Sequence, residues 1–433
     1  MQRWRTRFFT IWTGQALSLV GSSVAQFALV WWITLETGSA TVLATATLVA
    51  MAPTIALTPF AGVIVDRFSR RRIMILADTF IAVVSLWLAY LFWSGAMQVW
   101  HVYVVMLARS VGGAFHGPAM SASTTLLVPR EHYARVEGLN QIIGGALGVV
   151  GPPLGALLLS LLPLHGIMLL DFGTAAFAVA PLLWFAIPQP ARSVSVDGGK
   201  SGFWTDFREG LRYVVAWRGL VALITLLVIL NFLISPAFSL TPILVRMRFA
   251  GDAILLGWFN AALSLGVVLG GLILSAWGGF RKKIVTTLLA VIGLGAAMVM
   301  TSLTPVSIPL VAVGGFFLAG VTLAIGNGSL RATFRGVVDP AKQGRVGSLM
   351  RSLSTAMNPL GLGIAGPVAD LMGVAFWFLL GGASLVGGAL FGLVLPSLRN
   401  IEAEAAERAD ASASAIDAAR DGPDEGSEQP RDA

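Results

Sequence analysis

The stretch Gly62-Val63-Ile64-Val65-Asp66-Arg67-Phe68-Ser69-Arg70-Arg71-Arg72 lies between two long apolar runs. A weakened copy, Gly278-Gly279-Phe280-Arg281-Lys282-Lys283, also lies between apolar runs, keeping the cations and losing the acid. Cations confined to a short loop between two membrane-length segments fix which side of a bilayer that loop occupies. The same device used twice predicts a duplicated helical bundle with both basic loops on one side of a membrane.

Composition supports that reading. The chain has 433 residues, of which 56% are hydrophobic and 12% charged, with a mean hydropathy of +0.80. A soluble chain carries roughly 25% charged residues, so this one is expected to be an integral membrane protein. Cysteine is absent, which removes disulfides, thiolate metal sites and a cysteine nucleophile. The four histidines, His101, His116, His132 and His165, form no ligand pair, so no metal and no cofactor are expected. The net charge of +7 sits in short loops, where it sets orientation, and nucleic acid is not expected as a partner. The basic start, Met1 to Arg7, leads into an apolar run too long for a cleaved signal, hence a retained first span.

Twelve apolar segments are expected, at 8–35, 42–64, 73–94, 101–127, 139–162, 166–187, 219–245, 254–277, 285–303, 308–331, 347–370 and 374–396. With the N-terminus in the cytoplasm, alternate loops hold Arg67, Arg70, Arg71, Arg72, Arg130, Arg135, Arg281, Lys282, Lys283, Arg335, Lys342 and Arg345. The intervening loops Ser94 to Trp100 and Thr304 to Ser307 hold no Lys or Arg, and Arg246 and Arg248 are the exceptions. Both termini are therefore expected in the cytoplasm, in a multi-pass protein of the inner or plasma membrane.

Further matches reinforce the duplication. Arg70-Arg71-Arg72-Ile73 parallels Arg281-Lys282-Lys283-Ile284, Arg135-Val136 parallels Arg345-Val346, and Pro152 falls near Pro359. The expected organisation is a six-helix bundle at 1–187, a cytoplasmic linker at 188–218, a second bundle at 219–399 and a disordered cytoplasmic tail at 400–433. The linker's Asp197-Gly198-Gly199-Lys200-Ser201 resembles the end of a phosphate-binding loop, but the first Gly of that motif would fall at Val194. Repeated bundles of this kind are a construction rule of secondary transporters, which hold substrate between the repeats near mid-membrane.

Several motifs now converge. Gly14-Gln15 with Ser18 to Ser23, Gly38-Ser39-Ala40, and Gly62 to Arg72 followed by Asp78 resemble the major facilitator superfamily. Within it the chain is most similar to the twelve-helix drug-efflux branch, which includes macrolide and siderophore exporters. The resemblance runs from the first segment to the twelfth and implies an all-α integral membrane fold of two pseudo-symmetric six-helix bundles. It also implies a gating role for Gly62, Asp66, Arg67, Arg70 and Arg71, with Asp66 meeting an opposing helix N-terminus to close the cytoplasmic side. Ser69 stands where many relatives have Gly. The second copy lacks the acid, so only the first half can hold this latch.

Arg109, Gly112, Gly113 and His116 follow i, i+3, i+4, i+7 spacing and share one helical face. An Arg inside a membrane helix costs about 2.5–3.5 kcal/mol on insertion scales, so Arg109 must face the bundle interior. It serves either proton relay, which the resemblance implies, or a buried ion pair without a turnover role. The acids within the segments are few, and Asp78 and Asp171 are the carboxylate candidates for proton coupling, with His116 a candidate carrier or a packing residue. Gly144, Gly148, Gly151, Pro152 and Gly155 resemble the antiporter motif, where small residues let helices cross closely and Pro bends the span. Gln26, Trp31, Asn140, Asn231, Phe232, Asn260, Asn327 and Asn358 are candidates for an aromatic, amide-bearing substrate cavity, or else for inter-helix bonding and lipid contact.

The expected function is proton-coupled efflux of hydrophobic or amphipathic small molecules by alternating access, from a monomer in the bilayer, with protons as coupling ion. The alternatives are a dedicated exporter of one metabolite, such as a siderophore, and a non-transporting scaffold or sensor. No nucleophile or phosphate constellation suggests an enzyme.

Overall fold

The computed structural model describes residues 2–187, 208, 211–339 and 342–408. The side chain of Asp66, the stretch Asp197 to Ser201 and the tail beyond Arg408 lie outside the described residues. Twelve long helices occur among the described residues: α1 (Gln2–Thr37), α2 (Ala40–Arg67), α3 (Arg70–Ser94), α4 (Val99–Leu127), α5 (Tyr133–Leu161), α6 (Leu164–Trp184), α7 (Arg218–Ser239), α8 (Ala253–Trp277), α9 (Lys283–Leu303), α10 (Pro309–Val337), α11 (Gln343–Met372) and α12 (Val374–Val394). Ten of them have the length and apolar composition to cross a membrane. The other two, α4 and α11, are as long, with 29 and 30 residues, but carry Arg109 and His116, and Arg345, Arg351 and Asp370. Composition alone thus supports ten spans where twelve were expected.

Local chemistry sets the reversals. Only Gly38 and Ser39 separate α1 from α2: Gly38 takes φ +59°, and Ser39 Oγ accepts from the Val42 N–H at 3.3 Å, capping α2. On the same face as that reversal, α3 stops where Gly95 turns left-handed at φ +69°.

The duplication is visible in the packing. Helix α4 starts at 99 and α10 at 309, both 29 residues long; α6 starts at 164 and α12 at 374, both 21 long, so the step is 210 each time. In the first half α1 packs on α5 and α6, α2 on α4, and α3 on α4 and α6. The second half repeats this pair for pair: α7 on α11 and α12, α8 on α10, and α9 on α10 and α12. The two main contacts that join the halves, α2 with α11 and α5 with α8, are equivalents of each other under the same repeat.

The halves meet toward one end. The basic loops lie on the face where α1 starts; on the opposite face, Thr41 and Ala44 of α2 pack on Gly366 of α11, and Pro153 and Ala156 of α5 pack on Gly257 of α8. Toward the basic face, Gly62 of α2 and Gly144 and Gly145 of α5 have no neighbour within 4 Å of where a Cβ would sit. Among the described residues, the halves touch toward the opposite face and stand apart toward the basic one.

One boundary needs correction. The chain was expected to lose order from Asn400, yet residues 401–408 are helical, with Ile401 and Ala405 buried one turn apart. Glu402 accepts from the Ile284 N–H at 3.1 Å, Glu404 from Trp217 Nε1 at 2.9 Å, and Arg408 lies 4.5 Å over the Trp217 ring. An i, i+4 apolar pair and three partners on α9 and the residue before α7 supply what composition alone does not show. The linker likewise contains a helical turn at 211–215, with Val214 buried.

Candidate functional site

Three helices of the first half each carry two polar residues seven apart: Gln15 and Ser22 on α1, Asp78 and Ser85 on α3, Arg109 and His116 on α4. Seven residues are about two helical turns, or ~10.5 Å along the axis. Because α4 runs opposite to α1 and α3, the six side chains sort into two layers, and Asp171 of α6 joins the second.

The layer nearer the basic face centres on Asp78. Gln15 Nε2 donates to its Oδ2 at 2.8 Å, and His116 Nε2 lies 3.1 Å from Oδ1. That imidazole contact is close enough for an ion pair when His116 is protonated, but it is not aligned as a hydrogen bond. The second layer centres on Asp171, whose side chain is fully buried. Its Oδ2 receives Arg109 Nη1 at 2.6 Å and Ser85 Oγ at 2.6 Å, and its Oδ1 receives Ser22 Oγ at 3.0 Å. Between the layers the α3 and α4 backbones approach closely: a Cβ on Gly112 would meet the Ile81 side chain at 3.0 Å.

The two carboxylates differ in kind. Asp171 has donors on both oxygens and a guanidinium counter-charge, the full compensation that a buried charge requires. Asp78 has one amide donor and one imidazole contact, and no guanidinium among the described bonds to it.

The basic hinge is used within its own half. Arg71 donates through Nε to the Leu182 carbonyl and through Nη2 to the Leu183 carbonyl at 2.8 Å. Those carbonyls end α6, where a cation satisfies orphan acceptors and complements the helix dipole. Of the expected gating set, Arg71 therefore staples α3 to α6, Arg70 is buried, Arg67 is exposed, and Gly62 meets no opposing helix in this conformation.

The glycine motif on α5 divides along its length. A Cβ on Gly151 would meet Ser23 Oγ at 2.5 Å and one on Gly155 the Phe27 ring at 2.9 Å, so these two seat α5 on α1. Gly148 faces α8, where Ser264 Oγ donates to its carbonyl at 2.6 Å, while Gly144 faces open space. Pro152 sits at the closed end, its carbonyl against Gly257 of α8.

The structure brings together Asn231, Asn327 and Asn358 around a cavity of about 200 Å³ between α7, α9, α10 and α11. The other cavity candidates are elsewhere. Asn140 accepts from Trp12 Nε1 at 2.9 Å, Asn260 donates to the Leu256 carbonyl at 2.9 Å, Trp31 is in the core, and Gln26 is exposed on α1. Phe232 packs its backbone on Gly361 and its ring 6.3 Å from Trp377.

A further polar contact was not anticipated. Asp370, near the end of α11, accepts from the Ala40 N–H at 2.6 Å, the Thr41 N–H at 3.0 Å and Ser39 Oγ at 2.8 Å. It thus caps the α2 N-terminus from the other half. The available signal was an acid closing one segment and a Ser N-cap opening another; their pairing depends on tertiary structure.

A duplicated helical membrane bundle with charge buried in one half defines a class, and the comparisons agree. Residues 11–362 match the model of the Major Facilitator Superfamily, and the chain belongs to it, a multi-pass membrane transporter family. Macrolide efflux protein A of Streptococcus pyogenes is 32% identical over 407 residues, covering 92% of this chain and 98% of that protein. The multidrug efflux pump Tap of Mycobacterium tuberculosis is 27% identical over 412 residues, covering 91% and 94%. Both fit the drug-efflux branch that the motifs indicated. A solved bacterial homologue of the iron transporter ferroportin shares the fold, with TM-score 0.66, 14% identity, and cover of 90% of this chain and 98% of that one.

Proposed function

We propose that the chain exports hydrophobic or amphipathic compounds of the macrolide kind from the cytoplasm, coupled to inward proton flow, by alternating access between its two halves. The observation that carries this reading is the two-layered carboxylate network buried in one half, beside an amide-lined cavity in the other. Burying two acids, an Arg and a His in a membrane bundle is costly unless they work. The basic face is assigned to the cytoplasm from the Lys and Arg bias, and both termini with it, in the plasma membrane.

Substrate enters the gap from the basic face while the opposite face is held by Asp370 on α2. Asp78 and His116 form the proton-exchanging pair, and Arg109 with Asp171 is the fixed charge above it. One proton moving down 100 mV releases about 2.3 kcal/mol, enough to sustain roughly a fifty-fold gradient. Relatives named for macrolide and multidrug efflux support the substrate class.

The test uses purified chain in proteoliposomes with an imposed pH gradient and a radiolabelled macrolide. Gradient-driven accumulation that a protonophore abolishes is the expected result. Accumulation indifferent to the gradient would remove proton coupling, and none under any gradient would remove efflux.

A further inference from the structure

The two halves share a backbone plan but not its contents. With α4 and α10 in register at a step of 210, His116 corresponds to Gly326 and Arg109 to Ala319. A Cβ on Gly326 would touch the Ala290 side chain at 3.3 Å, so a glycine packed on α9 stands where the first half carries an imidazole. What remains is the cavity of about 200 Å³ walled by leucines of α7, α9 and α10.

Three of the six polar side chains lining it spend a donor within their own helices. Asn231 Nδ2 donates to the Leu227 carbonyl at 2.9 Å, Thr287 Oγ1 to the Lys283 carbonyl at 3.1 Å, and Thr322 Oγ1 to the Leu318 carbonyl at 2.9 Å. Their oxygens keep lone pairs free, and Asn358 Oδ1 is buried without a partner. A buried acceptor left unmet is costly, so the site favours an incoming donor. No charged residue lines the cavity. An ammonium would lose its hydration with no counter-charge to replace it, which disfavours cations.

Size supplies the last constraint. Whole drug-sized ligands occupy pockets of about 300–1,000 Å³, so this volume admits part of such a molecule. We infer that the cavity between α7, α9, α10 and α11 is a subsite for an uncharged, hydroxyl-bearing ring, of the size of one sugar, carried by an otherwise apolar substrate. This rests on the efflux reading and deepens it, dividing the labour: uncharged amides and hydroxyls for the substrate in one half, charge for the proton in the other.

The probes are a macrolide glycoside whose sugar carries hydroxyls and no amine, and its sugar-free aglycone, bound at equilibrium to the full chain in lipid nanodiscs. The unaltered chain is expected to prefer the glycoside about tenfold, in line with one or two hydrogen bonds gained. Asn358→Leu and the isosteric Thr287→Val should each reduce glycoside affinity about three- to tenfold and leave the aglycone unchanged. Thermal unfolding of each variant verifies folding, and Thr287→Val serves if Asn358→Leu does not fold. Equal affinity for the two probes, or variants that weaken both alike, would overturn the subsite and leave efflux standing. Failure of the unaltered chain to bind either probe would overturn the efflux reading, and the subsite with it.

Discussion

Arg109 Nη1 lies 2.6 Å from Asp171 Oδ2, with the two side chains 11% and 0% exposed, which makes α4 and α6 electrostatically dependent on each other. Removing one member of a buried pair strands the other charge at a cost of about 3–5 kcal/mol. Arg109→Ala should therefore lower the unfolding temperature of the purified chain by several degrees and abolish efflux. Replacing both residues by leucine should restore much of the stability without restoring transport, because the uncompensated charge is gone. A single Arg109→Ala variant as heat-stable as the parent would mean the pair does not hold the helices together.

The Asp78 layer predicts a different phenotype. Asp78 is held by Gln15 and by an imidazole in contact, and no guanidinium faces it from α1, α3 or α4 in its layer. Asp78→Asn keeps the shape and the Gln15 contact while removing the proton site. Drug-induced proton release should vanish and drug binding should persist, since the acceptor cavity lies in the other half. Under the proposed coupling, efflux by the parent should quicken with an acid exterior, and efflux by Asp78→Asn should be flat. Proton release undiminished in Asp78→Asn would shift the coupling to Asp171.

Asp370 predicts an effect on conformation instead. Its carboxylate joins the end of α11 to the start of α2 with three hydrogen bonds, two of them from backbone N–H groups. An acid at a helix N-terminus contributes about 0.3–1 kcal/mol through the dipole, up to ~2 when partly buried. Asp370→Ala should accordingly populate states open at the opposite face about two- to thirtyfold more often. The chain has no cysteine, so a single one placed at Ala44, beneath this contact, reports alone. Its labelling by an impermeant reagent should speed up by that factor in Asp370→Ala, and an unchanged rate would deny the contact a gating role.

What the sequence revealed and what it concealed follow from the range of each interaction. The duplicated basic loops, the helix lengths and the shared face of Arg109 and His116 depend on local periodicity, and all are found in the structure. That Asp78 would meet His116 while Asp171 met Arg109 could not be read from spacing along one helix, because the choice depends on how α1, α3, α4 and α6 are staggered. Asn231, Asn327 and Asn358 converge on one cavity, but Asn140 and Asn260, equally polar and equally placed in apolar runs, bond within and between helices instead. Arg71 resembled a gate residue from its motif; only the proximity of the α6 carbonyls reveals a staple. The helical turn at 401–408 was hidden by a polar composition in which two buried residues, Ile401 and Ala405, suffice to dock it.

The crossing of α8 and α10 offers a test of packing independent of any transport assay. A Cβ on Gly266 would collide with the Phe317 carbonyl, and one on Gly320 with the Leu263 carbonyl, so backbone meets backbone there. Lipid tails are as apolar as leucine, so helix association in a membrane relies on such close contact instead of hydrophobic exclusion. A carbonyl on a helix cannot swing aside as a side chain can, so Gly320→Ala has to separate the helices. Overpacking of this kind costs about 1–3 kcal/mol. Gly320→Ala should thus reduce both heat stability and the yield of folded chain, whereas Gly271→Ala, one position from the seam at Gly270 with no neighbour within 4 Å, should do neither. Ala is the better helix former, so propensity alone predicts a gain in both variants, and a Gly320→Ala chain as stable as Gly271→Ala would remove the crossing as a close backbone contact.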